Sequence, residues 1–399
     1  MKKLLKIIFF SFSITLLTIS RNELSNGATV PLSWSEGFDN ISSLTQSDWV
    51  ITNKSEPLGP SNWSQGNFNN LFDCYQGASQ NSFISVDYYS TRDEGTISNW
   101  LITPEMILTN GSQFSFYTRQ PSMDTIADGL QVRMSTNGTS VAVGQNAMAV
   151  GDFSTLLLEI NPSLQPHVYP DTWTLYTVTI NGLSAPTAGR LAFRYFVTNG
   201  GPTGEHSDCI GIDSVSYVAR AEVKTNVNIP GAGTASESTT LDIGSNAMLV
   251  ATANNGYTFV NWTDKNNNVV SSNPNYNFTV TNPSELTANF VRDTGYLTVT
   301  IDPESANTDG AKWSIDGGQS WYSIGSQSLP TGVYDITFKD VEGWDTPSAI
   351  SDVQLDKDED KVINANYIRK NYNINIKTEA GYELQPLTDY SCLFGTTIL

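Results

Sequence analysis

Apolar and polar residues alternate with period two along almost the whole chain beyond residue 28, and this pattern admits strands and disfavours helices. It runs through Phe114 to Thr118 (FSFYT), Leu130 to Met134 (LQVRM), Leu175 to Ile180 (LYTVTI), Leu191 to Val197 (LAFRYFV), Leu297 to Ile301 (LTVTI) and Val333 to Phe338 (VYDITF). In a strand, successive side chains point to opposite faces, so alternation rich in β-branched and aromatic residues marks a sheet with one face buried. Asn-Gly and Asp-Gly pairs at 110, 128, 137, 181, 199, 255, 309 and 316 stand between the runs. Such pairs tolerate φ > 0 and close tight turns. Only Phe153 to Ile160 reads as a helical turn or two, so the expected fold class is all-β.

Composition narrows the function classes. The 399 residues carry 21 basic and 40 acidic side chains, a formal charge of −19, with no Lys/Arg block of five or more. Phosphate neutralisation needs clustered cations, so a nucleic-acid partner is excluded. Lys2, Lys3 and Lys6 precede the apolar stretch Ile7 to Ile19 and the polar run Ser20 to Gly27. That order is a secretory signal, too short and too interrupted by Ser11, Ser13 and Thr15 for a membrane span. The expected signal is 1–28. Its removal takes four basic residues and one acidic residue and moves the formal charge from −19 to −22. The mature chain is expected to be secreted or at the cell surface, with no membrane insertion. Cys74, Cys209 and Cys392 lack metal-ligand spacing, and a Cys74–Cys209 disulfide and free thiols both remain open.

Internal repetition gives the domain plan. Ala288 to Arg292 and Ala365 to Arg369 share an Ala-Asn-aromatic-aliphatic-Arg ending 77 residues apart, as expected of two tandem modules. Tyr372 to Ala380 opens as a third module, and the residues that follow are too few to close it. The expected layout is a β-sandwich over 29–220, small β-modules over 221–293 and 294–369, and a truncated start over 370–399.

Several ordered segments carry a family resemblance. They are Gly37-Phe38-Asp39, Trp49, Ser98 to Pro104 (SNWLITP), Phe114 to Tyr117, Val132 to Gly138, Trp173, Leu191 to Tyr195 and Gly211 to Val215. Together they resemble the cleaved-adhesin, or choice-of-anchor J, domain of bacterial surface proteins. The resemblance implies a jelly-roll sandwich with a structural calcium ion. Carried over, it implicates Asp39 and Asp213, with Glu36, Asn99 and Asp208 completing the set. Calcium takes 6–8 oxygen ligands, so such a site needs carboxylates brought together from strand ends. Asp213-Ser214 stands where the family often has two adjacent acids, which removes one carboxylate. Gly231 to Thr234, Gly256 to Trp262 and Leu286 to Phe290 resemble the divergent InlB B-repeat.

Other motifs read as structure. Glu205-His206-Ser207-Asp208-Cys209 groups an acid, an imidazole, a hydroxyl and a thiol. Neighbours on a strand point to opposite faces and no G-x-S-x-G elbow exists, so the segment is expected to be a loop and the chain not to be an enzyme. Trp63, Tyr88, Tyr89, Trp321 and Trp344 lie near turns, where an exposed ring could stack on a sugar, whereas Trp34, Trp49, Trp100, Trp173, Trp262 and Trp313 belong to cores. The expected function is non-catalytic binding of an extracellular glycan or a host or matrix protein, with the repeats as spacer. The alternative is the accessory part of a secreted peptidase or glycoside hydrolase whose catalytic domain lies elsewhere. Export from a bacterial host should yield a mature chain beginning near Ala28 or Thr29. Intact mass of the secreted product checks this, and a secreted species retaining residues 1–28 would refute it.

Overall fold

In the computed structural model, residues 33–66, 71–122 and 125–371 are described, together with the backbone of a short antiparallel pair, Asn22–Glu23 and Thr29–Val30. The apolar core of the signal and the expected third module lie outside the described residues, as does Cys392. The described chain divides into two compact units, broken near residue 291.

The first unit begins with two facing antiparallel sheets. One sheet runs in the order Thr174–Thr179, Gln113–Arg119, Cys209–Val218, Ile84–Asp87, Ser64–Gln65, and Trp34–Glu36 pairs with the far end of Cys209–Val218. The other runs Thr155–Ile160, Leu130–Ser135, Thr187–Gly200, Thr91–Ile102, Val50–Asn53. Phe114 and Phe116 from the first sheet meet Phe193 from the second, at centroid distances of 5.3 and 4.8 Å. Ile84, Val86, Ile97, Leu101, Leu191, Ile210 and Ile212 complete the interior. The all-β expectation holds. Phe153 to Ile160, read as helical, forms the strand Thr155–Ile160 against Leu130–Ser135. Its three consecutive leucines blur the period, and pairing with a neighbouring strand outweighs local propensity.

Strand Thr91–Ile102 is buried on both faces at its end. Ile97 and Leu101 face the sandwich core, whereas Trp100 and Ile102 face outward and are covered by Val143, Val150 and Phe153 from the long connection that follows Ser135. Arg194 lies beneath the same cover, its guanidinium 3.9 Å from the Phe196 ring centre and 5.0 Å from that of Trp100. It donates to Ser98 Oγ, Gln131 Oε1 and the Ala147 carbonyl. Burial without a bonded carboxylate pushes this guanidinium down to about 9.

The chain leaves the sandwich without a spacer. Cys209–Val218 is followed by Ala219 and then by strand Arg220–Val227 of the next module. The backbone polar groups at this step are bonded. Ala219 N–H donates to Ser33 Oγ and Arg220 N–H to Ser112 Oγ, while the carbonyls of 219 and 220 accept from Ile243 N–H and Thr109 Oγ1. Ile243 packs against the sandwich core, and the sandwich and this module form one compact unit.

In the module, Arg220–Val227 runs parallel to Ser284–Arg292, with Val227 opposite Ala288. Facing that sheet are Gly233–Ala235, Asn246–Ala253 and Asn275–Thr279, with Trp262 and Phe290 buried. The second unit has the same first-to-last parallel pairing. Thr294–Asp302 lies beside Asp360–Asn366, with Ile301 opposite Ala365. The two alanines of the repeated ending therefore occupy equivalent places, each buried opposite the eighth residue of the module's first strand.

Gly111, at φ +86°, sits where an added Cβ would lie 2.7 Å from Thr240 Cγ2 of the adjoining module. Gly111→Ala should cost roughly 1–3 kcal/mol through backbone strain plus that clash. Thr240→Ala in the same chain should recover the steric share alone. Calorimetry on the two single variants and the pair checks this, and additive losses would contradict it.

Candidate functional site

The outer face of the Gln113–Arg119 sheet holds the arrangement of most interest. Phe114 and Phe116 point inward, so Gln113, Ser115, Tyr117 and Arg119 point out. Register puts Tyr117 opposite Leu175 on one side and Asp213 on the other, and Ser115 opposite Thr177 and Ser216. Between those two pairs the Cys209–Val218 strand carries an extra residue, with Ser214 at φ +49°. The bulge lets Asp213 and Ser216 share one face although they are three residues apart.

The segment Leu71 to Phe83 folds back over one end of this face. Phe72 stacks against Phe83 at 5.1 Å and meets Trp173 edge-on at 5.7 Å. All three press on Gly211, where an added Cβ would lie 2.8 Å from Phe72 and 3.0 Å from Trp173. Trp173 Nε1 donates to the Asp73 carbonyl, and the Arg119 guanidinium lies 4.6 Å over the Phe72 ring. The next residues then meet two carboxylates. Asp213 is fully buried. Its Oδ2 accepts from Tyr75 N–H at 2.8 Å and Gln76 N–H at 3.0 Å, and its Oδ1 accepts from the N–H and hydroxyl of Ser214. Burial raises its pKa against the opposing pull of these donors. Asp39 accepts from Ala78 N–H at 2.9 Å. That bond first, and the Ser82 hydroxyl second, hold this exposed carboxyl below its usual range.

The result is a rigidly seated Tyr75. Its ring lies on that of Tyr117 with centroids 3.7 Å apart and planes at 16°, and the two hydroxyls are 2.9 Å apart. Tyr75 is 45% exposed and Leu175, across from Tyr117, is 51% exposed. Ser115, Thr177 and Ser216 continue the open face, with Ser115 Oγ and Ser216 Oγ 2.8 Å apart. Aromatic faces and uncharged hydroxyls thus share one surface.

The five expected calcium ligands are not brought together. Asp39 and Asp213 hold the same loop, and Glu36 Oε1 is engaged by Phe38 N–H close by. Asp208 lies five residues before Asp213, about 17 Å along an extended strand, and its N–H donates to Asp128 Oδ1. Asn99 belongs to the other sheet, buried against Ser90 Oγ. Among the described residues no group of three or more His, Cys, Asp or Glu is placed to hold a metal ion. Both oxygens of Asp213 face N–H and O–H donors, the wrong polarity for a cation's shell, so this arrangement does not fit calcium.

The Glu205 to Cys209 segment is a loop in which His206 Nδ1 meets the Thr198 carbonyl, Ser207 Oγ accepts from Gly201 N–H and Cys209 is buried. Cys74 packs near Cys209 beside Phe72 and Phe83, and its thiol donates to the Ser79 carbonyl. Of the rings expected near the surface, Tyr89 is exposed and Tyr88 and Trp321 are half-buried. Trp63 and Trp344 are 4% exposed and belong to cores. Turn proximity misled there, because a loop beside a sheet can tuck its indole underneath, as Trp344 does with Nε1 on Asp309 Oδ2. Tyr117 was legible from its alternation with Phe114 and Phe116, whereas nothing local marks Tyr75.

Residues 223–294 match the family model of the divergent InlB B-repeat domain. Among solved structures, the chain is similar to the K1 cleaved adhesin domain of Lys-gingipain from Porphyromonas gingivalis W83. The two share 22% identity over 47% of this chain and 98% of that one, with a TM-score of 0.32. A CBM22-1 xylan-binding domain from Paenibacillus barcinonensis aligns at 12% identity over 46% of this chain and 91% of that one, with a TM-score of 0.25. No curated protein matches the chain. Likenesses this distant decide neither ligand nor activity.

Tyr75→Ala should leave the melting temperature nearly unchanged, within about 0.5 kcal/mol, because its half-exposed ring covers surface rather than core. The near-ultraviolet circular dichroism of the stacked pair should change in the same variant. A large stability loss would mean the ring is a core element.

Proposed function

We propose that this chain is an exported, non-catalytic binding protein, and that its sandwich engages an extracellular glycan across the open face around Tyr75 and Tyr117. The observation that carries this reading is the stacked tyrosine pair, with Tyr75 exposed over a half-buried Tyr117, beside a surface of hydroxyls. A pyranose presents a C–H face, which packs on an aromatic ring, and a rim of hydroxyls, which pair with Ser and Thr side chains. Tyrosine suits such contacts because it offers rigid amphipathic area with few torsions to freeze. The pair is ordered before any ligand arrives, so little entropy remains to be lost on binding.

The face selects within the glycan class. Its Gln113, Ser115, Tyr117, Leu175, Thr177 and Ser216 are uncharged, the outward Arg119 beside them is turned over the Phe72 ring and donates to the Gln120 and Asp171 carbonyls and Ser122 Oγ, and the whole chain is strongly acidic. Uronic or sulfated sugars would meet a repelling field, and the one cation on this face, Arg119, is already bonded within the protein, so neutral sugars are favoured. The repeats serve as a spacer that carries the sandwich away from its attachment.

A glycan array probed with the secreted chain should give hits among neutral oligosaccharides. The Tyr75→Ala and Tyr117→Ala variants should each weaken those hits at least about tenfold, equivalent to about 1.4 kcal/mol. Binding that survives both substitutions would move the site elsewhere, and an array without neutral hits would sink the glycan reading.

A further inference from the structure

Between Phe72 and Phe83 the loop that presents Tyr75 has a single apolar contact, the half-buried Cys74 packed beside those rings. Asp73, Tyr75, Gln76, Gly77, Ala78 and Ser79 are exposed, yet the Tyr75 ring is held within 3.7 Å of Tyr117. Something must hold the backbone. Three of its amides, those of Tyr75, Gln76 and Ala78, donate to two carboxylates that come from opposite ends of the sandwich sequence. Asp39 stands just after the first sandwich strand, and Asp213 lies in the last.

We infer that Asp213 and Asp39 are positioning residues, an amide clamp that assembles the Tyr75–Tyr117 pair without a divalent cation. This rests on the reading of that pair as the ligand platform. Hydrogen bonds from N–H to an ionised carboxylate are about twice as strong as neutral ones. A fully buried carboxylate is costly unless its lone pairs are filled. Asp213 meets that demand with four donors, of which two belong to the Tyr75 loop and two to Ser214. Removing the loop would leave Oδ2 without these two amide donors, so carboxylate and loop hold one another in place. A cation at Asp213 would have to displace these donors, because each carboxylate oxygen already accepts two bonds.

The clamp also explains Gly77. An added Cβ there would lie 2.1 Å from Ser82 Cβ and 2.8 Å from Asp39 Oδ1. Only glycine lets the chain pass between the two amide contacts of Asp213 and the one of Asp39.

Amide hydrogen exchange on the full secreted chain tests the clamp without any ligand. Protection at Tyr75, Gln76 and Ala78 should be the same in excess EGTA and in millimolar calcium. Asp213→Asn should speed exchange at Tyr75 and Gln76 at least about tenfold and abolish the near-ultraviolet signal of the tyrosine pair. Because a change at a buried site can unfold the domain, Asp39→Asn, at an exposed carboxyl, is the second variant. It should speed exchange at Ala78 and leave the amides of Phe114 and Phe116 untouched. Protection that rises with calcium, or is indifferent to both substitutions, would overturn the clamp. If Asp39→Asn loosens the loop but array hits persist at full strength, the positioning role fails. If no glycan binds while the clamp behaves as described, only the ligand reading fails.

Discussion

The ladder formed by strand Cys209–Val218 is the constraint on which the first unit depends. It pairs with Gln113–Arg119 on one side and with both Ile84–Asp87 and Trp34–Glu36 on the other. Its inward residues Ile210 and Ile212 belong to the core, and its outward Gly211 makes room for Phe72, Phe83 and Trp173. Alternation with Gly211 turns Asp213 toward the Tyr75 loop, the bulge after it brings Ser216 to the same face, and the far end continues almost directly into the next module. A slip of one residue in this register would exchange every inward and outward side chain. It would bury Asp213 among phenylalanines and leave the loop without its amide acceptor. Core, platform and module junction therefore depend on one pairing.

What could be read from the sequence was what depends on period and turn chemistry. Alternation located the strands around Phe114, Leu130, Leu191, Leu297 and Val333, and the repeated Ala-Asn-aromatic ending marked positions that prove equivalent in both parallel pairs. Trp100 and Trp262 were correctly assigned to cores. Legibility failed where a side chain's surroundings come from distant sequence. Trp63 and Trp344 looked exposed because turns flank them, and Thr155–Ile160 looked helical because its leucines are consecutive. Tyr75 carried no signal, since its seat is made by Asp213, 138 residues away.

The carboxylates show a subtler limit. The family resemblance named Asp39 and Asp213 as calcium ligands. In the structure both hold the same loop, but the groups facing those oxygens are donors. Ser214 stands where a second acid was expected, and it directs an N–H and a hydroxyl at Asp213. Position along a strand can be inferred from pattern, whereas the polarity of what will face a carboxylate depends on how a remote loop folds back.

The sparse charge acquires a role in this setting. The chain carries few charges and a formal charge of −19, and the platform's one cation, Arg119, is bonded within the protein. A uniform negative field repels anions and attracts cations, but a neutral sugar feels no net force from it. On the proposed reading, selectivity falls to shape, stacking and hydroxyl pairing at short range, which salt barely screens. Such contacts tolerate little play, because stacking and hydrogen bonding weaken within a fraction of an ångström to an ångström of displacement. A platform that relies on them needs its aromatic step fixed in advance, and that is the physical reason to hold Tyr75 with charge-assisted bonds from two separate strand ends rather than leave it on a free loop.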